Sequence, residues 1–150
     1  MNNKRETREF CFQYFFHLQL PIFKEIKNQL LENDSSMLNS DLEEFAQTSQ
    51  FSLTNEAKTF ILTRLKDAII NYNDIQDKIE SYLKNWKFDR IAKVDQTILI
   101  LGFSEIMQDK DLYKVIINES IELAKKYGTK ESSSFINGVL DNFVKKEVNA

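Results

Sequence analysis

The stretch "SSSFINGVLDNF", residues 132–143, decides how this chain is read. It admits a glycine loop wrapped around a phosphate, a hairpin turn on Asn137 and Gly138, or a helix. Phe135, Val139 and Phe143 recur every four residues with Ile136 and Leu140 alongside, which is the period of an amphipathic helix. A hairpin needs alternating strands on either side of its Asn-Gly pair, and none flank this one. A phosphate loop needs a preceding strand and a GxGxxG spacing, and neither is present. The stretch is therefore helical. A serine at 132 or 133 is expected to cap it. Gly138 costs roughly 1 kcal/mol relative to alanine inside a helix, and the expected compensation is close approach of a neighbouring helix.

Working outward, "YKVIINESIELAKKYG" reads as a helix over 113–127, with Gly128 where a left-handed C-terminal cap is expected. Lys125 and Lys126 fall in its last turn, which suits the helix dipole. Before it, 91–107 is apolar on several faces through Ile91, Val94, Ile98, Leu99, Leu101, Phe103 and Ile106. A helix apolar nearly all round belongs at the centre of its bundle. Nearer the start, Cys11, Phe12, Phe15, Phe16 and Leu18 predict a helix over 5–19, and Pro21 suits the first turn of a second. Ser40 and Glu43 offer a capping box for a third helix to about 47. Ala57, Phe60, Ile61, Leu65, Ala68 and Ile69 share one face of a fourth. Asn73 and Gln76 mark a fifth, ending near 83. Trp86, in "NWKFDR", is expected to plug the joint between two halves.

Composition agrees with this pattern. Three glycines and one proline in 150 residues leave few turns, which favours an all-α fold. Hydrophobic residues at 42% and charged residues at 29% are the balance of an ordinary globular domain. The single cysteine, Cys11, excludes an internal disulfide and is expected to be buried and inert. The start is polar, and no apolar run approaches the ~20 residues of a membrane span. A soluble, cytoplasmic protein without membrane contact is expected.

A net charge of −3 argues against gripping nucleic acid by bulk charge alone. Its distribution is uneven. Lys4, Arg5 and Arg8 cluster at the start, Lys125, Lys126 and Lys130 near a helix end, Lys145 and Lys146 at the tail, and acids over 32–56. Carboxylates are the only catalytic groups in number, with Glu119 and Glu122 one turn apart and Glu105 on the preceding helix. A helical di-metal site would need Glu-x-x-His pairs, and the one histidine, His17, has no such spacing. No Ser-His-acid order, nucleotide loop or paired-cysteine pattern can be assembled. No catalytic residue, metal or cofactor is expected. Asn118 and Glu119 are instead read as bonding across to a neighbouring helix, and Glu122 as pairing with Lys125 or Lys126.

The segment "VDQTILILGFSEIMQDKDLYKVIINESIELAKKYGTKESSSFINGVLD", residues 94–141, closely resembles the C-terminal half of the NusB family of bacterial transcription antitermination factors. Asn118, Glu119, Glu122, Leu123, Ala124, Lys125, Gly128, Phe135, Asn137, Gly138, Val139, Leu140 and Asp141 carry the match. Arg8, Glu9 and Gln13 in "REFCFQYFFHLQ" also resemble the family's first helix, whereas 20–85 matches only in helical pattern.

The resemblance implies about seven helices in two packed small bundles. These form a single domain, with an N-terminal sub-bundle over about 4–84 and a C-terminal one over about 86–148. It also implies a non-enzymatic role. Family members bind the boxA element of nascent ribosomal leader RNA together with the ribosomal protein NusE, within a complex that makes RNA polymerase resistant to termination. Carrying that surface over gives Lys4, Arg5 and Arg8 as phosphate contacts, Gln13 as a polar contact, and Phe135 as a stacking or core residue. Phe16 and Asp95 lie near the same face. Asn118, Glu119, Gly128, Asn137, Gly138 and Asp141 would hold the fold. Self-association into a homodimer through the same surface is left open.

Glu6 and Glu9 offset the basic start. Fewer phosphate contacts mean weaker affinity and a shallower salt dependence. Two other readings stand beside this one. The first is a helical protein–protein adaptor with little RNA binding. The second is the accessory domain of an RNA cytosine methyltransferase, which is not expected for a chain ending nine residues after Asp141.

Overall fold

The computed structural model describes residues 3–18, 20–84 and 86–148. Eight α-helices and two short 3-10 turns account for the regular structure among the described residues. The helices are α1 (Lys4–His17), α2 (Ile22–Leu31), α3 (Ser36–Thr48), α4 (Asn55–Ile70), α5 (Tyr72–Glu80), α6 (Lys93–Gln108), α7 (Tyr113–Tyr127) and α8 (Ser132–Glu147). The 3-10 turns are Phe88–Arg90 and Lys110–Leu112. The all-α expectation holds. Among the described residues no helix is long and apolar enough to cross a membrane.

The chain divides into two compact units, one ending at Ile70 and the other beginning at Asn71. This division falls ahead of the expected junction at 84–86, because α5 packs on α6 and on the Phe88–Arg90 turn.

In the first unit α4 packs against α1 and α2, and α2 against α3. The buried face of α1 supplies Phe10, Cys11, Phe12, Tyr14 and Phe15. Phe10 stacks on Phe51 at 4.0 Å between ring centroids, and the Tyr14 hydroxyl donates to Asp41 Oδ2 at 2.7 Å. Burial and that carboxylate both push the Tyr14 phenol above its ordinary range.

Chain reversals here use no glycine. Asn33 and Gln50 take left-handed backbone angles, φ 61° and 57°. Each is followed by an N–H that reaches back five residues, Asp34 to the Gln29 carbonyl and Phe51 to the Ala46 carbonyl, both at 2.9 Å. These are helix C-terminal motifs that glycine usually serves.

In the second unit α6 contacts α5, α7 and α8, as a helix apolar on several faces should. Phe103 stacks on Phe143 at 4.1 Å, and the Tyr82 ring meets both edge-on. Gly102 is the glycine of close approach. A Cβ there would meet the Leu140 side chain and Ser120 Oγ at 3.4 Å. Gly138, expected to fill that role, lies exposed on α8, and a Cβ added there would meet nothing within 4 Å.

Other local expectations are corrected. Ser40 lies inside α3, which begins at Ser36 because Asp34 Oδ1 accepts from the Ser36 amide and hydroxyl at 3.0 and 2.7 Å. Asn73 lies inside α5, whose N-cap position is Asn71. Trp86 plugs no joint, since it stands 59% exposed. Gly128 has φ −93°, so it is not a left-handed cap.

Candidate nucleic-acid interface

The residues singled out on the sequence fall in two settings, one in each unit. In the first unit they lie along α1. The helix starts cleanly because Asn3 Oδ1 accepts from the Glu6 amide at 2.7 Å, an N-cap bond that satisfies one of the free amides of the first turn. Lys4 and Arg8 are one turn apart, and so are Arg5 and Glu9, with Gln13 a further turn on. Lys4 and Arg5 are exposed, while Arg8, Gln13 and Phe16 are half-buried. Phe16 leans on Phe12, ring centroids 6.0 Å apart.

The structure brings Lys4 and Arg8 together over a residue on α4. Lys4 Nζ lies 4.7 Å and Arg8 Cζ 5.2 Å from the centroid of the Phe60 ring. Arg64, one turn further along α4, lies 3.4 Å from the same centroid and donates to the Phe60 carbonyl at 3.2 Å. Cations over an aromatic face are attracted by its quadrupole. Sequence reading placed Phe60 among apolar α4 residues and passed over Arg64. Its one available signal was the Phe60–Arg64 spacing of four, which gives no hint of α1.

In the second unit Asp95 sits in the first turn of α6 and is 8% exposed. Ser132, the first residue of α8, donates to it. Burial lifts the Asp95 carboxyl above the ordinary carboxylate range, and the serine bond opposes the rise. Among the described residues Asp95 Oδ1 has no hydrogen-bond partner. The same serine oxygen accepts from the Thr129 amide at 3.0 Å, so Ser132 points back to the α7–α8 corner and does not cap α8.

Gly128 makes this possible. A Cβ at Gly128 would lie 2.4 Å from Ser132 Oγ and 2.8 Å from the Ala124 carbonyl. Phe135 follows one turn after Ser132 and is half-buried. Asp95 is thus tied to the α7–α8 corner through Ser132.

The residues read as holding the fold differ in setting. Asn137 and Asn118 are exposed, and the cross-helix bond expected of Asn118 is not formed among the described residues. Glu119 is half-buried and has a partner of its own. Asp141 pairs with Lys145 at 3.1 Å and Glu122 with Lys125 at 3.9 Å, surface pairs worth little individually. His17 is exposed, its ring tilted on Phe45 at 4.9 Å. Among the described residues no three of His, Cys, Asp and Glu group to hold a metal.

The NusB family model matches residues 5–145. The transcription antitermination protein NusB of Methylacidiphilum infernorum (isolate V4) is 37% identical over 146 residues, covering 97% of this chain and 92% of its own. The solved structure of T. maritima NusB superimposes with a TM-score of 0.74 at 29% identity, over 97% of this chain and 92% of that one. A structure of antitermination factors NusB and NusE in complex with dsRNA superimposes with a TM-score of 0.68 at 20% identity, over 93% and 97% of the two chains, a likeness of fold. The chain belongs to the NusB family.

Proposed function

We propose that this protein is a non-enzymatic, RNA-binding transcription antitermination factor that binds boxA-type single-stranded RNA together with NusE and joins an antitermination complex on RNA polymerase. Family membership supports this reading, as does a structural neighbour that contains NusB, NusE and RNA. The single observation that carries it is the row of cations on α1. Lys4, Arg5 and Arg8 concentrate positive charge on one short helix face of a chain whose net charge is −3. Cations of this kind meet phosphates without reading sequence.

Gln13 and the half-buried rings of Phe16 and Phe135 would add polar and stacking contacts to splayed bases. Asp95, buried and bonded to Ser132, would act by holding the corner that precedes Phe135. Gly128 serves the corner at which Asp95 meets Ser132, and Asp141 pairs with Lys145 along α8.

The test is fluorescence anisotropy of a labelled boxA-like RNA, titrated with the protein alone and with NusE at two salt concentrations. Selective binding that tightens with NusE is expected. If the protein and the pair both fail to distinguish that RNA from a scrambled one, the reading gives way to a helical protein–protein adaptor.

A further inference from the structure

We infer that Arg64 of α4 is a phosphate-binding residue, held by the Phe60 ring in one cationic cluster with Lys4 and Arg8. The inference rests on the RNA-binding reading and extends it from α1 to a second helix.

The geometry is simple. Lys4 and Arg8 stand one turn apart on α1, Phe60 and Arg64 one turn apart on α4, and the two helices pack together. The three charged heads lie 4.7, 5.2 and 3.4 Å from one ring centroid. Like charges gathered around one ring repel, and the ring's quadrupole offsets part of that repulsion. An anion offsets far more. Arg64 is also the best-oriented of the three. It lies closest to the ring, and its NH1 is tied to the Phe60 carbonyl at 3.2 Å. A guanidinium held in this way, with its Nε buried, has less rotamer freedom left to lose when it meets a phosphate.

Arg8 and Arg64 have other contacts as well, as do the nearby carboxylates Glu9 and Asp67. An arriving phosphate therefore shares or displaces these contacts and does not meet bare charge. The alternative role is a clasp that fastens the start of α1 to α4. The two roles separate by salt dependence, because a clasp residue contributes to stability and not to counterion release.

The experiment measures affinity for a boxA-like single-stranded RNA across a salt series for wild type, Arg8→Ala, Arg64→Gln, Arg64→Met and Arg64→Lys. Thermal melting followed by circular dichroism accompanies each. Arg64→Met keeps the apolar stem, so a charge-free variant remains available if Arg64→Gln folds poorly. Each charge-free variant is expected to bind several-fold more weakly at low salt. The slope of log affinity against log salt should fall by about 0.7, the value for one phosphate contact on a single strand. Arg64→Lys should restore the slope. If Arg8→Ala loses slope while both charge-free Arg64 variants keep the wild-type slope, Arg64 is a clasp and the inference is overturned, with the RNA-binding reading intact. If wild type binds no RNA in any salt, both fall.

Discussion

The basic face of α1 and the corner around Ser132 bear candidate binding residues in opposite ways. On α1 the charged groups are exposed or half-buried at a helix surface, and the helix is held by its other face, through Phe10, Cys11, Tyr14 and Phe15. At the corner Asp95 is buried, bonded to Ser132, and dependent on a glycine that leaves room for that serine. The first region separates binding groups from the groups that hold the fold. The second uses one set of atoms for both. Substitutions should therefore read out differently, as binding defects in one region and as stability defects in the other.

The hardest test of that contrast is Gly128→Ala. The added methyl meets Ser132 and the Ala124 carbonyl well inside contact distance, and overpacking of this kind costs about 1–3 kcal/mol. A urea midpoint unchanged from wild type would show that the corner is loose and the contrast false. Ser132→Ala comes next. It removes the donor to Asp95, and leaving a buried acceptor without its partner costs about 1–2 kcal/mol. In the double variant with Asp95→Asn the two effects should not add.

The same carboxylate gives a pH signature. Its folded-state pKa is raised by burial, so the folded protein holds that proton more readily than the unfolded chain. The Asp95 contribution to stability is fully present below the unfolded value, roughly 3.9, and is lost as pH rises through the folded pKa. Wild type should therefore gain on Asp95→Asn as pH falls through that window. A flat difference curve would mean that Asp95 is solvated, and one that rises with pH would mean that the fold favours its carboxylate.

Gly138→Ala sharpens the comparison from the other side. Ten residues from Gly128 and with open space where a Cβ would stand, Gly138 should accept a methyl with a gain of roughly 0.5–1 kcal/mol in helix stability, read as a raised melting temperature. The smallest stability effect is expected for Arg5→Ala, within about 0.5 kcal/mol of wild type, while RNA affinity falls. Loss of stability without loss of affinity would move Arg5 out of the interface.

How much of this was readable in the sequence follows from which forces are local. The helix over 113–127 is found where its apolar spacing and flanking residues put it. Periodicity and the scarcity of glycine and proline were enough for the helical class. Helix starts were harder to read, because Asp34 and Ser40 offer the same polar chemistry and only the backbone bond at Ser36 decides between them.

Glycine roles were hardest. Gly102, Gly128 and Gly138 differ in what stands opposite each missing Cβ, and that is a property of packing between helices. The same limit hid Arg64, whose tie to Phe60 is visible at helical spacing but whose convergence with Lys4 and Arg8 depends on α1 lying against α4. The charges on α1 were legible because exposed cations keep their character whatever surrounds them. Phe60 was read as core because an apolar residue at helical spacing shows nothing of the cations that will cover it.

Trp86 has a practical consequence. It is the only tryptophan, and it stands 59% exposed. Its indole already sees water in the native state, so its emission should change little when the helices melt. Intrinsic fluorescence of this protein is then a poor gauge of unfolding and a sensitive one for anything that settles on the segment around residue 86. An optical probe of occupancy comes with the native sequence, and no label is required.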